Sequence, residues 1–382
     1  MQNKPKLRFK EFNDEWREDK LCNLFLINAG GDIDSSHCSS EKTEKFCYPI
    51  YANALTNNGL YGYSDIYKVK GHTITVTGRG DVGHATPRKE PYYPIVRLLI
   101  LRPQHNENVD FFASVINSTR IFLESTGVPQ LTSPQLSKVK VSYPSTQEQN
   151  RIAEVLNKVD EVIAEREEEV KDLEQQKKGL MQKIFSQQLR FTDSNNNPYP
   201  DWEEKKIGDI CKTFSGGTPS ITQSIYYNGD IPFIKSGEIH SSSTEMTITE
   251  AGLNNSSAKL VNKGDLLLAL YGATSGEVDI SKIDGAINQA ILCIRSDKLN
   301  LCYLKNVLTY EKEKILCKYL QGGQGNLSAE IIKALKFKFP CLEEQQKIAN
   351  VLSKLDELIE EKKALLSDWQ SFKKGLLQQM FV

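Results

Sequence analysis

The sequence has 382 residues, 39% hydrophobic and 25% charged, with 48 basic against 49 acidic side chains. This is enough chain for two or three globular domains; no apolar run approaches the ~20 residues that span a bilayer, and MQNKPKLRFKEF lacks a signal-peptide core, so a cytoplasmic protein without membrane partners is expected. A net charge of −1 withholds the basic surplus typical of nucleic-acid-binding domains.

From the N-terminus, LRFKEFNDEW (Leu7 to Trp16) comes first, and YPIY (Tyr48 to Tyr51) reads as a strand. HTITVTGRGDVGHATP follows, with Gly78, Gly80 and Gly83 in the spelling G-x-G-x-x-G of a dinucleotide-binding turn. Such a turn must open a helix, whose N-terminus holds the phosphates. Pro87, Pro91 and Pro94 forbid one here, and YPIVRLLIL reads as a further strand. The glycines are therefore expected to sit in a loop between strands, close to a phosphate backbone or serving as a plain turn.

From Pro144 the pattern changes to an amphipathic helix. Ile152, Leu156, Val159 and Ile163 recur at helical spacing. Then the chain repeats itself. LRFTDSNNNPYPDW (Leu189 to Trp202) echoes the opening segment, IPFI (Ile231 to Ile234) answers YPIY, and GDLLLALYGATSG (Gly264 to Gly276) answers GHTITVTGRGDVG. A second stripe of Ile348, Leu352, Leu355 and Ile359 follows Pro340 as the first follows Pro144, an ungapped offset of 196 residues. Each helix should run for about 40 residues, roughly 60 Å. A stripe that long is too extended for one compact domain to cover, so these eight side chains are expected to form a coiled-coil interface between the two helices. The predicted fold is α+β, with two β-rich domains joined and separated by a pair of long antiparallel coiled-coil helices in a pseudo-two-fold repeat. The expected bounds are 1–146, 147–186, 187–342 and 343–382. The eight cysteines form no C-x-x-C and the five histidines do not cluster with them, so no metal is expected.

The paired segments P-x-x-x-E-Q-x-x-I-A-x-V-L-x-K-x-D-E-x-I from Pro144 and Pro340, each continuing to KKGL, resemble the specificity subunit of type I restriction-modification systems. So do the lead-in segments TGVPQLTSPQLSKVKVSYP and GGQGNLSAEIIKALKFKFP, and the stretch YPIYANALTNNGLYGYSDIYKVKGHTITVTGRGDVG. The resemblance implies two target-recognition domains, each reading one half of a split site in double-stranded DNA. It implies two methyltransferase subunits docked on the helices, restriction and translocase subunits beside them, and S-adenosylmethionine held by the methyltransferases rather than by this chain. No catalytic residue is expected. Asn197-Pro198-Tyr199-Pro200 only scrambles an amino-methyltransferase motif, no P-loop is present, and PDWEEK at Pro200 falls where the first half has only NDEWREDK.

Side chains able to reach groove edges near the predicted loops are Asn57, Asn58, Tyr61, Tyr63, Arg79, Asp81, His84, Thr86, Arg88 and Lys89 in the first half. In the second they are Lys235, Ser236, Glu238, Tyr271, Thr274 and Ser275, with Asn288 and Gln289 nearby. The neutral charge is expected to be offset by basic residues gathered on one face of each domain, and by partner subunits that share the grip on DNA. The competing reading is a coiled-coil scaffold with two ligand-binding heads and no DNA.

Overall fold

A computed structural model describes residues 5–119, 129–319 and 326–381. The chain separates into two compact units, one built from residues up to Glu167 and from Ala364 onward, the other from Glu168–Lys363. The opening residues of the two lead-in segments, before Pro129 and Asn326, lie outside the described residues.

In the first unit an antiparallel sheet runs in the order Phe25–Ala29, Leu98–Pro103, Thr73–Thr77, Ala85–Arg88. Thr73–Thr77 is buried along its whole length, which is why TITVT is β-branched throughout and shows no polar alternation. A second sheet runs Cys38–Ser39, Leu60–Ser64, Tyr48–Tyr51, Tyr93–Pro94, the last pair parallel. YPIVRLLIL is thus two strands in two sheets. Arg97, at φ 68°, lies in the left-handed region between them, and the chain changes sheet there. The strand that closes the glycine loop is Ala85–Arg88, a segment with no strand signal of its own.

The second unit repeats this plan. One antiparallel sheet runs Lys212–Ser215, Ile291–Arg295, Leu266–Ala269, Val278–Ile280. The other runs Thr247–Ile248, Tyr227–Ile234, Gly285–Ile287, Lys259–Val261, with a parallel central pair. The echo between the glycine segments extends to backbone conformation: Gly71 and Gly264 stand at φ 99° and 98°, and Gly83 and Gly276 at φ 86° and 79°.

The long helices are Thr146–Phe185 and Leu342–Met380, and each contributes residues to both units. They run antiparallel. In the first unit Lys373 pairs with Asp160, and Gln370 donates to Glu167. In the second, Lys363 pairs with Glu174 and Lys177 with Asp356. The apolar stripe does more than pair helices. Ile152 and Leu156 share a core with Met380 and with Trp16, Phe111 and Phe112 of the β-rich head; Ile348 and Leu352 share one with Met181, Ile184, Trp202 and Tyr303. Val159 and Ile359 are also buried, whereas Ile163 and Leu355 are partly exposed.

Each head is fixed to its helix by one repeated polar joint. Arg8 makes two parallel bonds to Glu148, 2.7 and 2.8 Å, and Arg190 makes two to Glu344, 2.8 and 2.9 Å. The following glutamines, Gln149 and Gln345, donate to the carbonyls of Pro144 and Pro340 and accept from the backbone amides of Asn108 and Asn300. Those asparagines in turn cap the helices Val109–Ser118 and Leu301–Tyr319 by accepting from Phe111 and Tyr303 amides. Buried charges and amides persist only when their partners are supplied, which accounts for the E-Q pair at both helix starts.

Candidate nucleic-acid interface

The loop Gly78–Gly83 is the tip of an antiparallel hairpin between Thr73–Thr77 and Ala85–Arg88. Its three glycines meet hairpin requirements, not phosphate requirements. Gly80 and Gly83 have φ of 76° and 86°, which disfavours a Cβ. A Cβ on Gly78 would lie 2.6 Å from the Arg97 carbonyl oxygen and 2.9 Å from that of Leu131. The tip is also pinned to the 129–131 segment, with the Gly80 amide donating to Pro129 and the Leu131 amide to Gly78. In the second unit the hairpin tip between Leu266–Ala269 and Val278–Ile280 is held in the same way, the Leu327 amide donating to Leu270.

A second loop lies against the first hairpin. Residues 52–59 close on themselves through the Ala52 amide and the Gly59 carbonyl, and Asn57 and Asn58 at its tip both take φ of 50°. Asparagine tolerates this region better than most residues. Asn53, in this loop, reaches the hairpin. Its Oδ1 accepts from the amides of Gly78 (2.5 Å) and Arg79 (3.2 Å), and its Nδ2 donates to the Arg79 carbonyl (2.7 Å). The far side of the hairpin is held by Asn117, which bonds both the amide and the carbonyl of Ala85.

Of the first unit's candidates, Asn57, Asn58, Tyr61, Asp81, His84 and Lys89 are exposed, and Tyr63, Arg79 and Thr86 are half-buried. The Arg79 guanidinium has no side-chain partner among the described residues, while Lys89 lies 3.1 Å from Asp110. Although exposed at its rim, His84 is partly desolvated, and this, reinforced by the Arg88 charge, lowers its pKa below the usual value and favours the neutral ring, which carries both a donor and an acceptor. Arg88 is placed otherwise than expected. It is only 6% exposed, stacks 3.5 Å from the Tyr51 ring centroid, and donates to Thr75 Oγ1 and the Asn58 carbonyl. The neighbouring strand Thr73–Thr77 is buried throughout, and the Arg88 donors are engaged inside the head.

In the second unit Lys235, Ser236, Glu238, Tyr271, Thr274, Ser275 and Asn288 are half-buried and Gln289 is exposed. Glu238 is committed to its own turn, accepting from the Lys235 and Glu245 amides, and Ser275 donates to the Leu270 carbonyl. The turn and the hairpin are coupled by His240, which lies 2.9 Å from Asp279 and 3.5 Å from Glu277. The bond to Asp279 raises the His240 pKa, burial opposing it. Lys312 and Lys305, from the helix Leu301–Tyr319, pair with Glu277 and Asp279 in turn. Asn53, Asn117 and His240 were not singled out by sequence, since each acts on a partner distant in the chain. No group of His, Cys, Asp and Glu suited to a metal occurs among the described residues.

The type I restriction modification DNA specificity domain matches twice, over residues 13–175 and 199–367. The chain belongs to that family. Among curated members of the family, the type I restriction enzyme MjaIX specificity subunit of Methanocaldococcus jannaschii is 34% identical over 192 residues, 47% of this chain and 44% of the relative. The putative MjaX specificity subunit of the same organism is 27% identical over 305 residues, 74% of this chain and 69% of the relative. The chain thus spans less than half the length of the MjaIX relative. A crystal structure of the type I restriction-modification S subunit from M. genitalium shares the fold, with a TM-score of 0.71, 16% identity and 99% of both chains covered. A second chain, solved in work on complex assembly and conformational transition of the type I R-M system, gives a TM-score of 0.56 at 14% identity, covering 96% of this chain and 97% of that one. The two family matches coincide with the two repeats, and each takes in one β-rich head and the glutamate of its joint, Glu148 or Glu344, while Arg8 and Arg190 lie just before the matched residues.

Proposed function

We propose that this chain is the sequence-specific DNA-binding specificity subunit of a type I restriction-modification complex, reading a bipartite target with one half-site per head. The single observation that carries this reading is the doubled family match on a doubled fold: two heads that share the strand order of one antiparallel sheet and the same joint, and whose exposed loops differ. The loop residues Asn57, Asn58 and Arg79 and the exposed strand residue Tyr61 supply donors and acceptors suited to base edges and phosphates; Lys235, Tyr271 and Thr274 do so in the second head. The chain carries no chemistry in this proposal. Methyltransferase subunits bring S-adenosylmethionine and, with restriction subunits, assemble on this chain in the cytoplasm. A scaffold without DNA would explain the repeat, but it is not favoured by membership of a family named for DNA specificity. Among the described residues no helix is long and apolar enough to cross a membrane.

The test is exchange of one head. Replacing residues 19 to 142 with the corresponding region of a relative, in cells supplying the methyltransferase subunits, should change one half of the methylated motif as read by sequencing of modified DNA. A change in both halves, or no split motif with the unaltered chain, would overturn the proposal.

A further inference from the structure

The first head presents two loops, 52–59 and the hairpin tip 78–83, and two internal side chains tie them into one body. Asn53 leaves the first loop and saturates its amide on the second, using both polar atoms on the backbone of Gly78 and Arg79. Arg88 starts from the hairpin's second strand and reaches the other way, donating to the Asn58 carbonyl at 2.6 Å. Its Nε is fixed by Thr75 Oγ1 at 3.0 Å, and its plane rests on Tyr51, whose hydroxyl donates to Glu90. Each loop is therefore held by the other, at the residue next to or at its tip.

We propose that Asn53 and Arg88 are positioning residues for DNA recognition by the first head: by fixing the backbone at Arg79 and Asn58, they set the base preference of that half-site without contacting bases. The inference rests on the DNA-reading function proposed above. It requires that the two loops contribute to a single set of contacts, which the reciprocal tie provides. A direct base contact tolerates small displacements poorly, since a bidentate pair depends on both bonds being aligned. Among the described residues the second head has no such pair of ties. Its turn and hairpin are coupled by His240 to Asp279 and Glu277, so the effect of altering Asn53 or Arg88 is confined to one half of the target.

The experiment uses the full-length chain assembled with its methyltransferase subunits and a library of randomised duplexes, with methylated molecules sequenced. Asn53→Ala should lower discrimination at the first head's half-site roughly three- to tenfold, the worth of one or two net hydrogen bonds, and leave the other half-site unchanged. Asn53→Asp keeps the acceptor for both amides but sets a carboxylate oxygen against the Arg79 carbonyl that Nδ2 now serves, and should relax the same half-site. Arg88→Lys, which cannot hold Thr75 and Asn58 together, should relax the same half-site as Asn53→Ala. Should Asn53→Ala or Arg88→Lys fail to fold, Asn53→Asp and Asn53→Ser decide by the same readout. Undiminished discrimination in folded variants, or equal loss at both half-sites, would overturn the inference. Absence of any split motif with the unaltered chain would instead overturn the underlying function.

Discussion

Arg8 and Arg190 occupy the same joint in different degrees of burial. The Arg8 side chain is 8% exposed and Glu148 1%; Arg190 is 24% exposed and Glu344 fully buried. Removing one member of a buried pair strands the other without its countercharge and costs about 3–5 kcal/mol. Arg8→Ala should therefore lose about 3 kcal/mol in urea denaturation of the full chain. Arg190→Ala should lose less, because Glu344 also accepts from the Trp202 indole and the Phe191 amide. Equal losses would contradict this account of the joint. His240 gives a second residue-scale expectation. Its pKa is raised in the folded state, so its contribution is fully present below the ordinary value near 6.5 and fades as pH rises through the raised folded value. The thermal midpoint of the second unit's transition should fall as pH climbs above about 6.5, and His240→Gln should flatten that slope. A variant with the original slope would remove His240 as its source.

At the scale of elements, the long helices were legible and so was the placing of the glycine loop between strands, though not its closing strand Ala85–Arg88. A stripe repeated at three and four residues over roughly ten turns has no other interpretation, and three prolines rule out the helix that a nucleotide-binding turn needs. The boundary inside YPIVRLLIL was not legible, because a left-handed arginine leaves no compositional mark. Nor was the fate of Arg88. Among Arg79, Arg88 and Lys89 nothing in sequence says which cation turns inward, and the buried stacking partner Tyr51 lies far back in the chain. Asn53 was invisible for the same reason, since its bonds span 25 and 26 residues. Glycines divide likewise by environment. Gly78→Ala meets two carbonyl oxygens within 3.0 Å and should cost about 1–3 kcal/mol. Gly179 and Gly375, inside the long helices, have nothing within 4 Å of an added Cβ. Alanine there should stabilise the isolated chain by up to ~1 kcal/mol, measured by denaturant midpoint; destabilisation would mean that the helical backbone needs glycine at these turns.

For the molecule as a whole, the joint separates what varies from what repeats. Arg8, Glu148 and Gln149, like Arg190, Glu344 and Gln345, belong to the repeated segments. The variable head contributes one side chain of its own, the asparagine before its helix, whose amide meets the glutamine and whose Nδ2 reaches the next residue along, Asn150 or Gln346. A transplanted head must therefore bring a matching plug for a fixed socket. Grafts that keep asparagine at this position should express and assemble like the parent. Asn108→Ala or Asn300→Ala removes the cap at a cost of about 1 kcal/mol, and should lower the soluble yield of otherwise acceptable grafts. Under the proposed function, new specificities would then be limited by the compatibility of one capping residue, while the exposed loops remain free to differ.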